Sequence, residues 1–234
     1  MQTEILTYTL EGSTAILNMD DGKANALSDA MIDALVAGLA RAESEAKAVI
    51  LAGRTDRFCA GFDLKVMMSG PDNATALLRR GSALLLSLYE TPLPLVIACT
   101  GHALAGGALV VLTGDVRIGA DGPYRVGLNE VSIGMPVPVL AVELARDRLS
   151  KRAFVHATLT GQIYDPKGAV AAGYLDEIVA PDAVLDRARA EAARLGALSR
   201  VAYGATKARL RSQTTAYIRD TLETDMGSLL GLLH

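Results

Sequence analysis

The sequence predicts an α/β fold in which strands alternate with helices and most strands pair in parallel. The chain has 234 residues, half of them apolar, which is enough for one domain with a sizeable core. Short apolar runs that suit strands recur between segments in which apolar residues have helical spacing. Because strand, helix and strand follow one another along the chain, the pairing is expected to be largely parallel with right-handed connections.

The first elements are a β-hairpin and a strand–helix–strand unit. Apolar and polar residues alternate from residue 5 to 10, and again at residues 15–17 after a turn at Glu11-Gly12-Ser13, which is the pattern of a hairpin. Ser28 and Asp29 then supply a helix start signal. Helical spacing of apolar residues follows and leads to a strand at residues 48–51.

The middle of the chain continues the alternation. A helix is predicted at residues 73–89, ending before Pro92 and Pro94, and a strand at residues 95–98 follows it. A short helix, a strand at residues 115–118 and a helix after Pro136 complete this part.

Beyond Asp165 the pattern becomes mainly helical. Pro166 and Lys167 open one helix, and Asp182 is predicted to cap the next. The last helix carries an apolar stripe that needs a partner surface, either on its own core or on a neighbouring subunit, and we favour association between subunits. The stripe consists of Ile218, Leu222, Met226, Leu229 and Leu233.

Composition argues against several classes of protein. The formal net charge is only −3 and the two signs are interspersed, so no nucleic-acid partner is expected. The N-terminus lacks the pattern of a secretory signal, and the most apolar stretch is too short to span a bilayer, so we expect a cytoplasmic protein without a membrane partner. The histidines and cysteines lack metal-ligand spacing, so no metal is expected.

Two glycine-containing segments follow predicted strands. At Ala60-Gly61 the backbone can turn sharply and leave the Phe62 N–H free to donate if a helix starts there, although a tight turn closing a loop is the alternative. At Gly106-Gly107 a strand meets a helix, whose N-terminal N–H groups stabilise negative charge. Neither segment matches the phosphate loop of nucleoside triphosphatases or the dinucleotide fingerprint.

A single carboxylate, Glu130, lies among apolar and small residues. Such neighbours desolvate a carboxylate, which raises its pKa and makes it usable as a proton acceptor and donor. A surface or helix-capping glutamate is the alternative.

Taken together, the order and spacing of these motifs from about Asn25 to Val179 resemble the crotonase (enoyl-CoA hydratase/isomerase) superfamily. Residues 59–64 are similar to its first oxyanion loop and residues 105–107 to its second. The resemblance implies an α/β crotonase (ClpP-like) spiral of repeated ββα units, with two roughly perpendicular sheets. Residues 1–180 are then the core and residues 181–234 a C-terminal helical region that builds a homotrimer or a hexamer.

The resemblance also implies a site for an acyl-CoA thioester, in which coenzyme A is part of the substrate and no separate cofactor is needed. The backbone N–H groups of Phe62 and Gly106 hold the thioester oxygen, and Glu130 moves the proton. The implied substrate-binding positions are Ala24, Arg57, Ala60, Asp63, Leu64, Lys65, Gly107, Leu109 and Pro136.

Some of these residues have other interpretations. Arg57 and Lys65 are equally credible as solvated surface charges, and Asp63 as the start of a helix. A basic cluster near the C-terminus either reaches a neighbour's CoA or forms a solvated face, which we favour. This cluster consists of Lys207, Arg209 and Arg211.

One departure from the hydratase pattern decides the predicted reaction. Hydratases that resemble this chain carry a second glutamate where Leu109 stands, and leucine can neither accept a proton nor hold water. Residues 106–113 and 127–130 are similar to the 3,2-enoyl-CoA isomerase branch. We therefore predict an isomerase of fatty-acid metabolism that shifts a 3-enoyl double bond to the 2-position with Glu130 alone. A hydratase-like lyase and a non-catalytic acyl-CoA-binding subunit are the alternatives.

Overall fold

The computed structural model describes the backbone of residues 5–232 and the side chains of residues 5–229. The strands are β1 (Leu6–Glu11), β2 (Thr14–Met19), β3 (Ala48–Ala52), β4 (Asp56–Cys59), β5 (Leu95–Cys99), β6 (Gly101–Leu104), β7 (Val116–Ala120), β8 (Val126–Gly127) and β9 (Glu177–Val179). The α-helices are α1 (Asp29–Glu45), α2 (Leu64–Met67), α3 (Pro71–Glu90), α4 (Gly106–Thr113), α5 (Val139–Arg148), α6 (Lys151–Thr158), α7 (Pro166–Ala172), α8 (Val184–Gly196) and α9 (Arg200–Leu232).

The strands form two sheets. Within residues 5–232 the larger sheet has the order β1-β2-β3-β5-β7-β9, and the smaller has the order β4-β6-β8. Every pair is parallel except the β1–β2 hairpin. The α/β class with mostly parallel pairing is therefore confirmed.

The ββα unit recurs along the chain. After the hairpin and α1, β3 and β4 precede α2 and α3, β5 and β6 precede α4, and β7 and β8 precede α5. In the last three units the first strand joins the larger sheet and the second joins the smaller one. This alternation places the ends of β4, β6 and β8 side by side, so the segments that follow them converge.

Helix starts were predicted well where a side chain closes the first turn. The Ser28 hydroxyl accepts from the Met31 N–H at 3.3 Å, and Asp165 accepts from the Gly168 N–H at 2.6 Å. The prediction that Asp182 caps a helix is wrong, because Asp182 lies inside a 3-10 turn begun by Pro181, and α8 starts afterwards without a side-chain cap.

The central strands of the larger sheet, β3 and β5, are buried on both faces. One face packs in the main core with α1, α3 and α4. The other face meets α8, where Ile50, Val96 and Ile118 pack with Val184 and Ala188. The C-terminal region therefore covers this chain's own sheet. Within residues 5–232, no helix is both long and apolar enough to cross a bilayer.

The final helix also packs on its own chain, against α3 and α5. Of the predicted apolar stripe, Ile218, Met226 and Leu229 are buried and Leu222 is half-buried, while Leu233 lies outside the described residues. The stripe therefore packs on the core of its own chain, which was the alternative to a neighbouring subunit. The stripe thus does not support association, and the oligomeric state stays a prediction.

Two basic residues anchor α9 to the sheet. Lys207 and Arg211 are only 6% and 3% exposed, so the predicted solvated face is wrong for them, although Arg209 is exposed. Lys207 Nζ and an Arg211 guanidinium nitrogen donate to Asp115 at 2.7 and 2.6 Å. Asp115 also accepts from the Leu95 N–H at 2.8 Å. Pairing with one partly buried carboxylate explains why these cations can leave water.

Candidate active site

The segments that follow β4, β6 and β8 enclose a cavity of about 230 Å³. Seven of the residues predicted for the site line it: Ala60, Phe62, Leu64, Gly106, Leu109, Glu130 and Pro136. The remaining wall contains Met67, Ala74, Leu78, Leu104, Ala105, Asn129, Ile133, Met135, Pro138 and Leu229. An enclosed and mostly apolar space with few polar groups is typical of a small-molecule site.

The first loop is held by the segment before α1. The Ala60 N–H donates to the Ala24 carbonyl at 3.0 Å, and the Leu27 N–H donates to the Gly61 carbonyl at 2.8 Å. Gly61 has a φ of +95°, which favours glycine. Among the described residues the Phe62 N–H donates to no acceptor, so it is available to a ligand.

The helix does not start at Phe62, as the sequence analysis required for a free N–H, but two residues later at Leu64. Asp63 is its N-cap and accepts from the Lys65 N–H at 2.8 Å, which is the helix-start role weighed above. The Phe62 N–H is free for another reason. Leu27 and Phe62 form a short parallel bridge. Its hydrogen bonds join Leu27 to the residues on either side of Phe62, so the Phe62 N–H is not used.

The second loop has an unusual backbone. Ala105 adopts φ 48° and ψ −124° and donates its N–H to the Gly127 carbonyl at 3.0 Å. Gly106 is the first residue of α4, so its N–H has no acceptor inside the helix, and no described backbone group outside the helix accepts from it. A strained residue beside a free N–H is typical of a functional loop.

The two loops touch at glycines. A β-carbon at Gly107 would lie 2.0 Å from the Cys59 carbonyl oxygen, and one at Gly61 would lie 3.1 Å from the Gly106 nitrogen. Glycine at both positions allows the backbones to approach each other. The contact fixes the Phe62 and Gly106 N–H groups in one structural unit.

Glu130 is the one ionisable side chain among the described residues of the cavity wall. It is 7% exposed, so the surface interpretation is wrong, and although it precedes the 3-10 turn Val131–Ile133 its side chain makes no capping hydrogen bond. Burial raises the pKa of the Glu130 carboxyl, opposed by its own backbone N–H. Within residues 5–229 its Oε2 atom is buried without a hydrogen-bond partner.

Leu109 shares the cavity wall with Glu130. It lies in the first turn of α4, where its N–H donates to the Ala105 carbonyl at 3.1 Å, and it is 3% exposed. The position at which hydratases resembling this chain place a second carboxylate is thus an apolar part of the wall.

The other predicted substrate-binding residues do not line this cavity. Ala24 supports the first loop through its carbonyl, and Gly107 packs on Cys59. Arg57 and Lys65 are exposed, as solvated charges would be. Contact of these residues with the CoA part of a substrate stays a prediction.

The sequence analysis did not predict the part of the cavity wall that α2, α3 and α9 supply. Met67, Ala74 and Leu78 come from α2 and α3, and Leu229 comes from α9. The apolar stripe on the last helix was a signal that Leu229 is buried, but its position beside the loops depends on how α9 packs.

Two free backbone N–H groups beside a buried carboxylate, in an apolar cavity, define a class of enzyme. Such donors stabilise an oxyanion that develops from a carbonyl, while a carboxylate of raised pKa exchanges a proton with carbon. This arrangement fits the enolate chemistry of thioesters.

Comparison with known proteins identifies the family. The sequence pattern of the enoyl-CoA hydratase/isomerase family matches residues 9–230, and the chain belongs to this family. Its sequence is 29% identical over 224 residues to the human mitochondrial enoyl-CoA delta isomerase 1, covering 94% of this chain and 74% of the human protein. It is 32% identical to a putative enoyl-CoA hydratase of Thermus thermophilus, covering 77% and 73% of the two chains.

Solved structures agree on the fold. An enoyl-CoA hydratase/isomerase family protein from Pseudomonas syringae superimposes with a TM-score of 0.95 at 38% identity, covering 98% of this chain and 100% of that one. The human mitochondrial delta3-delta2-enoyl-CoA isomerase gives a TM-score of 0.93 at 29% identity, covering 97% and 91%. These likenesses confirm the crotonase fold and support a role in acyl-CoA metabolism. Some of the relatives are named isomerases and others hydratases.

Proposed function

We propose that this protein is an enoyl-CoA isomerase that moves the double bond of a 3-enoyl-CoA to the 2-position. The observation that carries the proposal is the pairing of Glu130 with Leu109 in one cavity wall. A proton shuttle needs one carboxylate, whereas addition of water needs a group to orient and deprotonate the water as well. The apolar Leu109 supports the first reaction.

The reaction divides into two proton transfers. The ionised Glu130 carboxylate removes a proton from the α-carbon between the thioester carbonyl and the double bond, and the electron pair spreads into a dienolate. The Phe62 and Gly106 N–H groups donate to the dienolate oxygen, and loss of one such donor typically costs about 3 kcal/mol in the barrier. Protonated Glu130 then returns the proton to the γ-carbon, which leaves the conjugated 2-enoyl thioester and the ionised enzyme.

The buried position of Glu130 suits both transfers. A carboxyl whose pKa is raised by burial is a stronger base than one in water and releases its proton at the γ-carbon without a large penalty. Leu109 and the apolar wall exclude water from the dienolate, which limits side reactions.

The decisive experiment measures conversion of 3-hexenoyl-CoA and hydration of crotonyl-CoA by wild type, Glu130→Gln and the surface control Glu45→Gln. We expect isomerisation by wild type and by the control, a loss of about 10²- to 10⁴-fold in Glu130→Gln, and no hydration. Hydration by wild type, or isomerisation that persists in Glu130→Gln, would refute the proposal.

A hydratase-like reaction is the second candidate, and Asn129 favours it. This residue lies in the cavity wall next to Glu130 and its amide can bind water. If Asn129 substitutes for the missing carboxylate, crotonyl-CoA hydration should be measurable and should fall in Asn129→Leu. Tight acyl-CoA binding without turnover of either substrate would instead indicate a binding subunit.

The trimer or hexamer implied by the resemblance is also a proposal. Three large apolar residues just before α9 and in its first half are at least half exposed, which supports contact with another copy. They are Leu198, Val201 and Leu210. Light scattering on Val201→Glu and on an exposed polar control, Ser212→Glu, tests this. A wild type that is monomeric at micromolar concentration would refute it.

A further inference from the structure

Gly81 lies inside helix α3, and the proposed reaction gives it no role. The helix has 20 residues, and Gly81 is buried near its middle. Glycine is less favourable than alanine in a helix interior, and the Gly81 φ lies outside the left-handed region that favours glycine. Backbone conformation therefore does not explain this glycine, and the reason for it must lie in packing.

The space beside Gly81 is filled by the Phe62 ring. A β-carbon at Gly81 would lie 2.6 Å from Phe62 Cζ and closer still to Cε1. Carbon atoms in contact are normally about 3.5–4.0 Å apart. No side chain fits at position 81 while the Phe62 ring keeps its place.

The opposite edge of the same ring lies against Gly106. A β-carbon at Gly106 would be 3.1 Å from both Cδ2 and Cε2 of Phe62. The ring thus separates α3 from the first residue of α4. Because Phe62 carries one free backbone N–H and Gly106 carries the other, the ring connects the two oxyanion donors.

Helix α3 is held in place by its other side chains. Leu77, Leu84 and Leu85 are buried in the main core, and packed interiors relax only in part. Phe62, by contrast, is half-buried and lines the cavity. A side chain at position 81 therefore displaces the ring rather than the helix, and it pushes the ring toward Gly106.

We propose that Gly81 is a positioning residue for the two oxyanion donors. It leaves room for the Phe62 ring, and the ring sets the distance between the Phe62 and Gly106 N–H groups. This role rests on the proposed function, in which both groups donate to the thioester oxygen. The contact between the ring and the two glycines does not depend on the reaction.

The first test compares Gly81→Ala with Gly38→Ala. Gly38 is a buried glycine of α1, and a β-carbon there would also overlap a side chain, at 2.8 Å from Leu17 Cδ2, but Leu17 does not line the cavity. Thermal melting should show that both variants fold and how much stability each loses. With 3-hexenoyl-CoA, kcat should fall roughly 10- to 100-fold in Gly81→Ala alone, while KM changes less than about threefold.

The second test removes the ring instead of the space. Phe62→Leu keeps the backbone N–H but lacks Cε1 and Cζ, the two atoms that overlap a β-carbon at position 81. Without the spacer, kcat should fall roughly tenfold. Adding Gly81→Ala to Phe62→Leu should then lower kcat by less than about twofold, because the group on which it acts is gone.

The third test needs no turnover. Hexanoyl-CoA has no double bond to move, and a carbon-13 label at its thioester carbon identifies the carbonyl stretching band in infrared difference spectra. Hydrogen bonds to the carbonyl oxygen lower the frequency of this band. Binding to wild type or to Gly38→Ala should therefore lower the frequency, and most of this shift should be lost in Gly81→Ala and in Phe62→Leu.

Several results would overturn the proposal. They are an equal kcat in Gly81→Ala and Gly38→Ala, a loss confined to KM, losses that multiply in the double variant, and a carbonyl band that wild type does not shift. If Gly81→Ala does not fold, an unchanged kcat and carbonyl band in Phe62→Leu would also overturn it. If the carbonyl band behaves as expected but no 3-enoyl-CoA is converted, the proposed isomerase fails while the positioning role stands.

Discussion

Gly107→Ala tests whether contact between the two loops builds the site. The new β-carbon would lie 2.0 Å from the Cys59 carbonyl oxygen and 2.6 Å from its carbon, and both are backbone atoms that no rotamer change can move. Relieving the clash needs a shift of about 1 Å, and overpacking of this kind costs about 1–3 kcal/mol. A misplacement of about 1 Å at a reacting centre lowers activity roughly 100-fold.

The control is Gly227→Ala in α9, where a β-carbon meets nothing within 4 Å. Both glycines are helical, so alanine gains up to about 1 kcal/mol of helix propensity at each, but only at the buried Gly107 does the new β-carbon clash. Urea denaturation should show Gly107→Ala destabilised and Gly227→Ala stabilised, and isomerisation of 3-hexenoyl-CoA should fall only in the first. If Gly107→Ala is as stable and active as Gly227→Ala, the loop contact does not hold the Phe62 and Gly106 N–H groups in place.

Three further perturbations have expected outcomes. Asp115→Asn should lower the free energy of unfolding by about 3 kcal/mol in urea, because the buried Lys207 and Arg211 then lack their countercharge. Glu130→Gln should raise the melting temperature at pH 7 by ~2–4 °C. Burial raises the pKa of the Glu130 carboxyl above 4.5, so the wild type loses stability as the pH rises from 4.5 through the raised pKa. The difference in melting temperature should therefore vanish at pH 4. Leu229→Ala, which enlarges the cavity by shortening one lining side chain, should improve kcat/KM for 3-octenoyl-CoA relative to 3-hexenoyl-CoA about tenfold.

Each perturbation has a matched control. Asp186→Asn removes an exposed carboxylate and should leave urea stability unchanged, and equal losses at both positions would contradict the anchoring role of Asp115. Glu45→Gln should not raise the melting temperature, and a gain in Glu130→Gln that persists at pH 4 would rule out titration of this carboxyl. Leu210→Ala changes an exposed leucine of the same helix. If Leu210→Ala shifts the chain-length preference as much as Leu229→Ala, the size of the cavity does not set this preference.

Most local signals in the sequence were reliable, although Asp182 does not cap a helix. The turn at Gly12, with a φ of +59°, closes the predicted hairpin, Ser28 caps a helix as expected, and the helix predicted to open at Pro166 does begin there. These features depend on hydrogen bonds between residues a few positions apart and on the conformational freedom of single residues. For the same reason the two glycine loops were recognised as possible donors of backbone N–H groups.

The resemblance to the crotonase superfamily indicated the acyl-CoA class and singled out Glu130 and Leu109, which the structure brings into one cavity. The sequence could not place the rest. Strand β9 has only three residues, and its pairing with β7 is a long-range contact without a local signal.

By itself, the sequence determined the alternation of elements, the glycine loops and the position of Glu130 among apolar and small residues. Only the tertiary structure decided that Lys207 and Arg211 are buried and paired with Asp115, and that Leu229 lines the cavity. The physical reason is that burial and pairing arise between residues far apart in the chain. The partner of a charged or apolar side chain is therefore known only from the folded structure.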